Sequence, residues 1–292
     1  MARFGEVVTA MVTPFTESGA LDLDAAASLA RWLGEHGSDG LVVAGTTGEG
    51  PVLRDAEKAD LWRAVAEAVT IPVIAGSGTN DTAHSVELTR VAKDAGVAGA
   101  LVVTPYYNRP SQSGLVGHFR AVAEATDLPI LIYDIPIRTG RKIANDTMVS
   151  LARELPTISG VKDAALDVAG SARLIADAPT GFEVYSGNDD QTLPLLAVGA
   201  VGVVSVASHW AGAQISAMID AFTRGDVVKA REIHTGLLES WAFQSSDVAP
   251  NPIPAKAVMR VLGHAVGHCR PPNDHGPDDL ESRAKELLAR LR

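Results

Sequence analysis

The sequence predicts an eight-stranded parallel (β/α)8 barrel, also called a TIM barrel, followed by a C-terminal helical extension. Short apolar, β-branched segments recur eight times, amphipathic helical patterns separate most of them, and the strand signal stops after Asp226. An open doubly wound sheet is the competing architecture, but Val12-Thr13-Pro14-Phe15 follows the first strand where that fold usually has a glycine-rich phosphate-binding turn. We therefore predict a barrel over residues 1–225 and an extension over residues 226–292.

The predicted strands are short runs rich in valine, leucine and isoleucine, bounded by polar or glycine-containing turns. In chain order they are Val7–Met11, Gly40–Ala44, Pro72–Ala75, Ala100–Thr104, Pro129–Tyr133, Ile158–Lys162, Phe182–Ser186 and Gly202–Val206. Helical periodicity predicts helices at Asp24–His36, Arg54–Val69, Ala83–Asp94, Leu115–Ala125 and Asn145–Glu154, and in the extension at Val227–Leu238, Pro254–Leu262 and Pro277–Leu291. Thr82 and Asn145 are predicted N-caps, and Gly37 and Gly96 are predicted helix stops.

The composition excludes several classes of protein. A chain of 292 residues with 46% hydrophobic content can bury a large core. Its net charge of −10 argues against nucleic-acid binding, and it requires that any anion site be built locally. A single cysteine, Cys269, rules out an internal disulfide framework. Together with an N-terminus that has no apolar core of signal-peptide length, it predicts a cytoplasmic enzyme.

One apolar stretch requires comparison with a membrane span. No Asp, Glu, Lys or Arg occurs between Asp190 and Asp220, and the segment 193–207 is strongly apolar. Pro194, Gly199 and Gly202 interrupt it, however, and a membrane helix needs about 20 uninterrupted apolar residues. We predict a short helix, a glycine turn and a buried strand, and no membrane association.

Lys162 is the most informative single residue, because it ends the apolar run Ile158–Lys162 that predicts a buried strand. Other lysines, among them Lys58, lie in polar helical patterns and are predicted to be surface charges. A buried amine tends to lose its proton and become nucleophilic, and Schiff-base chemistry with a carbonyl substrate requires such an amine. The competing interpretation is a lysine that extends to water or pairs with Asp163.

The ends of the other strands supply further candidates, because the reactive groups of such barrels gather at the carboxyl ends of the strands. Gly45-Thr46-Thr47-Gly48-Glu49 offers paired hydroxyls and backbone N–H groups that suit a carboxylate or phosphate, although a tight glycine turn explains it equally. Tyr106-Tyr107 follows the fourth strand. Tyr133, which ends the fifth, precedes Arg138, whose guanidinium fits a carboxylate. Each tyrosine alone is more simply a packed aromatic, and only their joint placement indicates a site.

These segments together resemble the dihydrodipicolinate (4-hydroxy-tetrahydrodipicolinate) synthase family, pyruvate-dependent class I aldolases related to N-acetylneuraminate lyase. The resemblance extends over essentially the whole chain and includes a proline-rich segment of the extension. The matching segments are Gly45–Glu49, Thr104–Pro110, Tyr133–Gly140, Val161–Asp163 and Asn251–Pro254.

The resemblance implies that the chain condenses pyruvate with L-aspartate 4-semialdehyde, without metal or organic cofactor, as the first committed step of diaminopimelate and lysine biosynthesis. The implied catalytic residues are Lys162, which forms the imine, Tyr133, which moves protons, and Thr46 and Tyr107, which link Tyr133 to a neighbouring subunit. A homotetramer of two tight dimers, with Tyr107 shared across the tight interface, is therefore implied. The implied substrate-binding residues are Thr46, Thr47, Arg138, Gly187 and Val204.

Two departures from the family pattern concern Asp134 and the regulatory region. Asp134 stands where most members have asparagine, and its side chain is expected to point away from that of Tyr133. Members inhibited by L-lysine usually offer a carboxylate at the position of His84 and a neutral ring at that of Lys58. Because cationic groups facing a cationic effector are unfavourable, we expect weak or absent inhibition by L-lysine.

Three other interpretations remain open. Another 2-keto-acid aldolase, such as N-acetylneuraminate lyase or a keto-deoxy-sugar aldolase, would share Lys162 and Tyr133 but would generally lack Arg138. A barrel that binds a keto acid without catalysis is the second. The third is a metal site, because histidines and a cysteine cluster near the C-terminus, but helix-end histidines explain them better. These residues are His264, His268, Cys269 and His275.

Overall fold

The computed structural model describes residues 2–291, and its eight parallel strands close into a barrel in sequence order. The strands are β1 (Val7–Ala10), β2 (Gly40–Val43), β3 (Val73–Gly76), β4 (Gly99–Val103), β5 (Ile130–Asp134), β6 (Ile158–Asp163), β7 (Glu183–Ser186) and β8 (Gly202–Ser205). The barrel closes where β8 pairs with β1, with Val204 opposite Val8. All eight predicted strands are confirmed, with small differences at their ends.

Helices alternate with the strands and continue after the last one. They are α1 (Leu23–Glu35), α2 (Asp55–Ala68), α3 (Thr82–Asp94), α4 (Gln112–Glu124), α5 (Pro136–Thr139), α6 (Asn145–Glu154), α7 (Val168–Asp177), α8 (Thr192–Ala197), α9 (Ser208–Thr223), α10 (Val227–Gly236), α11 (Leu238–Phe243), α12 (Ile253–Val261) and α13 (Leu280–Arg290). Short 3-10 turns occupy Gly50–Val52 and Asp189–Gln191. This order confirms the predicted (β/α)8 barrel with a helical extension.

The predicted N-caps are wrong by one residue. Asp81, not Thr82, caps α3, because its carboxylate accepts a hydrogen bond from the amide of His84. Asn145 is already helical, and its side-chain amide donates to the carbonyl of Gly170 instead of capping α6. The predicted helix stops are confirmed: Gly37 and Gly96 follow α1 and α3 with φ of 98° and 81°, a conformation that glycine adopts without strain.

Alternation along the strands fills the barrel interior with side chains. Every second residue points inward, and these buried residues, among them Val8, Val42, Ile74 and Leu131, form one apolar cluster that also contains Tyr133. The residues between them face the surrounding helices and belong to separate clusters. The interior is therefore a packed core, and only side chains near the carboxyl ends of the strands can meet a substrate.

The apolar stretch before residue 220 folds as predicted, into the short helix α8, a turn at Gly199 and the buried strand β8. No helix within residues 2–291 is long and apolar enough to cross a membrane.

The extension packs against the barrel through a shared apolar core. Ala255, Val258 and Met259 of α12 are fully buried in the cluster that also contains Phe15 and Trp62 of the barrel. The division at residue 225 stays a prediction, since this continuous core joins both parts.

Candidate active site

Lys162 and Tyr133 lie side by side at the carboxyl edge of the barrel. Lys162 is the second-last residue of β6 and Tyr133 the second-last of β5, and the two are direct partners in the parallel register. Both side chains are buried, each residue being 5% exposed, and the Lys162 Nζ lies 4.3 Å from the centre of the Tyr133 ring. The pairing of neighbouring strands thus places an amine and a phenol together in a largely water-excluded environment.

Burial alone does not distinguish Lys162 from every other lysine. The prediction that Lys58 is a surface charge is wrong: the residue is 6% exposed, and its side chain lines the wall of a cavity. Lys256 in α12 is fully buried, and its Nζ lies 2.6 Å from the Glu49 Oε1. Lys162 differs from both in its position among the inward-facing side chains at the barrel mouth.

The turn after β2 presents Thr46 and Thr47 at the same edge. Its backbone is closed by hydrogen bonds from the amide of Gly50 to the carbonyl of Gly45, at 2.9 Å, and from the amide of Glu49 to the carbonyl of Thr46, at 3.0 Å. Glu49 adopts a left-handed φ of 56°, which is uncommon for a residue other than glycine. Thr46 is half-buried, whereas Thr47 is buried and accepts a hydrogen bond.

A cavity of about 250 Å³ opens at this edge and brings three of the predicted residues together. Thr46, Tyr133 and Arg138 all line it. Arg138 projects from the one-turn helix α5, is exposed, and its guanidinium forms no ion pair or hydrogen bond within residues 2–291. The other lining residues are Ala44, Gly45, Gly50, Pro51, Lys58, Gly76, Gly78, Thr79, Leu101, Val103, Tyr106, Ile135 and Thr139.

Five other predicted residues do not line this cavity: Lys162, Thr47, Gly187, Val204 and Tyr107. Lys162 contacts the ring of Tyr133, which does line it. Val204 is buried in the apolar cluster that contains Tyr133. Gly187 follows β7, and a Cβ atom there would lie 2.7 Å from the Cβ of Ala164, so only glycine fits. Tyr107 is 88% exposed with a left-handed φ of 70°, and it contributes nothing to the site of its own chain.

Asp189 is a functional candidate that the sequence analysis passed over, although it lies in the segment after β7. Its buried carboxylate accepts hydrogen bonds from the Ser205 hydroxyl and from the amides of Val206 and Ala207, at 3.0 and 3.2 Å. Burial raises the pKa of Asp189, while these three hydrogen bonds and, to a smaller extent, the charge of Lys162 oppose that rise. Its position after a barrel strand was the only signal in the sequence.

Asp134 points away from Tyr133, as expected from strand alternation. Its buried carboxylate lies 3.4 Å from the Lys142 Nζ and accepts a hydrogen bond from the amide of Ile143 at 3.2 Å. Burial raises the pKa of Asp134 to about 6, while the Lys142 ammonium opposes the rise. These contacts connect the end of β5 to the segment that follows α5, the helix that carries Arg138.

The region of the expected L-lysine site contains two basic side chains and one shared carboxylate. The His84 Nε2 lies 2.9 Å from the Asp55 Oδ2, and the Lys58 Nζ lies 3.9 Å from the Asp55 Oδ1. Burial lowers the pKa of Lys58, and Asp55 opposes that effect. The local carboxylate is therefore already paired with the protein's own basic groups.

The histidine-rich segment near the C-terminus does not assemble a metal site in the described residues. No group of three or more His, Cys, Asp or Glu side chains within residues 2–291 is arranged to hold a metal ion. The rings of His268 and His275 instead pack edge to face with centres 4.2 Å apart.

The fold and this geometry define a class: a closed (β/α)8 barrel with a lysine, a tyrosine and a hydroxyl-bearing turn gathered at the carboxyl edge of its strands. The comparison with known families is more specific. The model of the dihydrodipicolinate synthetase family matches residues 3–290, and the chain belongs to that family.

Curated relatives resemble the chain over nearly its whole length. A 4-hydroxy-tetrahydrodipicolinate synthase of Acidothermus cellulolyticus is 52% identical, covering 100% of this chain and 91% of the relative. One of Moorella thermoacetica is 50% identical, covering 92% of each. Among solved structures, the enzyme from Cyanidioschyzon merolae with lysine bound is 41% identical with a TM-score of 0.96, covering 100% of this chain and 99% of that one. A monomeric dihydrodipicolinate synthase variant is 36% identical with a TM-score of 0.94, covering 99% and 97%.

Proposed function

We propose that the protein is a lyase that condenses pyruvate with L-aspartate 4-semialdehyde to give 4-hydroxy-tetrahydrodipicolinate, which supplies diaminopimelate and lysine biosynthesis. The observation that supports it best is the pairing of Lys162 with Tyr133 beside the Thr46-Thr47 turn. The family membership and the names of the curated relatives support the same reaction.

In the proposed reaction, the neutral Lys162 amine attacks the ketone of pyruvate and water leaves as the imine forms. The protonated imine then withdraws electrons, so that loss of a methyl proton gives an enamine, which attacks the aldehyde carbon. The amine of the second substrate displaces Lys162 and closes the ring. No metal or organic cofactor takes part in these steps, because the imine itself stabilises the carbanion.

Other residues bind and protonate the substrates. Thr46 and Thr47 hold the pyruvate carboxylate, and Gly187 and Val204 line the bound substrate. Tyr133 transfers protons to and from the carbinolamine oxygen and the imine nitrogen, since it lies beside Lys162, whose Nζ is 4.3 Å from the centre of its ring. Burial keeps water from the imine until the aldehyde arrives.

Arg138 is proposed to bind the carboxylate of aspartate semialdehyde. It lines the same cavity as Tyr133, and its guanidinium has no competing carboxylate partner in the described residues. An arginine fork binds a carboxylate through two charge-assisted hydrogen bonds. This residue distinguishes the proposed reaction from that of N-acetylneuraminate lyase or a keto-deoxy-sugar aldolase, whose polyhydroxy aldehydes present no carboxylate there.

We further propose a homotetramer, a dimer of tight dimers, in which Tyr107 completes the proton path of the neighbouring subunit through Thr46 to Tyr133. The almost fully exposed ring of Tyr107 supports this arrangement, because a free surface tyrosine held in a left-handed conformation is costly without a function. The single cysteine supports a cytoplasmic location.

The decisive experiment is reductive trapping of pyruvate with borohydride, followed by peptide mass spectrometry. We expect one pyruvate-derived group on Lys162 and none in Lys162→Ala. Lys58→Ala is the matched control, since it removes another buried lysine, one whose side chain lines the cavity beside Tyr133. A coupled assay with pyruvate and aspartate 4-semialdehyde, run beside N-acetylneuraminate cleavage, separates the reactions. Absence of the adduct on Lys162 would refute the proposed chemistry and leave a barrel that binds keto acids without catalysis.

A further inference from the structure

Three polar contacts connect the helical extension to the turn after β2. The side-chain amide of Asn251, which lies just before α12, donates to the Thr47 Oγ1 at 3.0 Å. The Lys256 ammonium lies 2.6 Å from the Glu49 Oε1, and the backbone amide of Arg270 donates to the Glu49 Oε2 at 2.8 Å. Residues some 200 positions away in the sequence thus contact two residues of one five-residue turn.

The contact with Glu49 stabilises a backbone conformation that this residue rarely adopts. A left-handed φ costs about 1 kcal/mol or more for a residue with a Cβ atom, and it persists only where surrounding contacts enforce it. The side chains of Glu49 and Lys256 are each 1% exposed, so their attraction is little screened by water. The extension therefore helps to fix the shape of the turn that presents Thr46 and Thr47.

The contact with Thr47 restricts where the hydrogen of the threonine hydroxyl can point. A threonine hydroxyl has one hydrogen to donate and two lone pairs that accept. The Asn251 amide occupies a lone pair of the Thr47 oxygen. No acceptor within residues 2–291 takes the Thr47 hydroxyl hydrogen, so this hydrogen is available to a ligand.

We propose that Asn251 is a positioning residue, which orients the Thr47 hydroxyl so that it donates to the carboxylate of the bound keto acid. This inference rests on the proposed function and assigns part of the keto-acid affinity to the extension. A carboxylate in place of the Asn251 amide would reverse the contact, because it would accept the Thr47 hydrogen and also repel the anionic ligand.

The test uses the full-length protein with Asn251→Ala and Asn251→Asp, and Asn273→Asp as matched control. The control makes the same amide-to-carboxylate change at another half-buried asparagine of the extension. The pyruvate concentration that gives half-maximal borohydride trapping is measured for each. Loss of one hydrogen bond to a charged ligand predicts a rise of roughly 10-fold for Asn251→Ala and, with the reversed contact, roughly 100-fold for Asn251→Asp. Asn273→Asp should equal the natural protein.

A neutral ketone separates orientation from general damage to the site. Hydroxyacetone has no carboxylate, so its half-maximal trapping concentration should change less than about twofold in both Asn251 variants. We also expect kcat at saturating pyruvate to change little, because the affected interaction is with the first substrate's carboxylate.

Two results would overturn the inference. One is an unchanged pyruvate concentration in Asn251→Asp, and the other is an equal loss of trapping with pyruvate and with hydroxyacetone. If Asn251→Asp does not fold, as judged by circular dichroism, the comparison of the two ketones in Asn251→Ala decides alone. Failure of the natural protein to trap pyruvate would instead refute the proposed function.

Discussion

Replacing Arg138 with alanine tests the substrate assignment most directly. The guanidinium lines the cavity beside Tyr133 and forms no ion pair or hydrogen bond within residues 2–291, so its removal leaves no buried group without a partner. Two charge-assisted hydrogen bonds to a carboxylate are worth about 3–6 kcal/mol in a buried site. Because Arg138 is exposed, screening by water lowers this contribution to about 2–4 kcal/mol. This corresponds to a loss of roughly 30- to 1000-fold.

The assay separates the two substrates. The loss is expected in kcat/KM for aspartate 4-semialdehyde at saturating pyruvate, whereas borohydride trapping of pyruvate on Lys162 should change less than about threefold. Arg138→Lys should recover only part of the activity, since an ammonium lacks the planar fork. Arg153→Ala, which removes an exposed arginine of α6 outside the cavity, is the control. Equal losses with both substrates would show that Arg138 has been assigned the wrong role.

Three further predictions concern stability and regulation. Lys256→Met leaves the Glu49 carboxylate buried without its cation, so it should lower the free energy of unfolding by about 3–5 kcal/mol in urea titrations at fixed protein concentration. Adding Glu49→Gln removes the buried charge and should recover part of this loss. A loss of the same size in the double variant would contradict the prediction. Burial lowers the pKa of His118 and His209 from 6.5 to about 4. As the pH falls, these rings therefore become protonated in the unfolded chain before they do so in the folded protein. The contribution of each neutral ring to the free energy of unfolding is therefore fully present above pH 6.5, and roughly 3 kcal/mol of it is lost for each ring as the pH drops to 4. His209→Gln should reduce this loss of stability in acid, as measured by urea titrations at several pH values. L-Lysine should inhibit weakly or not at all in steady-state assays, and His84→Glu should increase inhibition by supplying a carboxylate; inhibition of the natural protein at low L-lysine concentration would refute this.

The sequence by itself determined the architecture and the proximity of Lys162 to Tyr133. Strand and helix patterns are local, since burial on both faces selects β-branched runs and burial on one face selects helical periodicity. In a parallel barrel the carboxyl ends of all strands meet at one edge, so knowing that Tyr133 and Lys162 end their strands was enough to predict that they share a site. The family resemblance added the roles, which no local pattern contains.

Only the tertiary structure decided the contacts between residues distant in sequence. Lys58 looked like a surface charge because its helix is polar, and its burial depends on the cavity that neighbouring elements form beside α2. The contacts of Asn251 and Lys256 with the turn after β2 arise because the extension packs against this turn at the carboxyl edge of the barrel. Such contacts depend on the packing of whole elements, since a hydrogen bond forms only when donor and acceptor come within about 3 Å in space, whatever their separation along the chain.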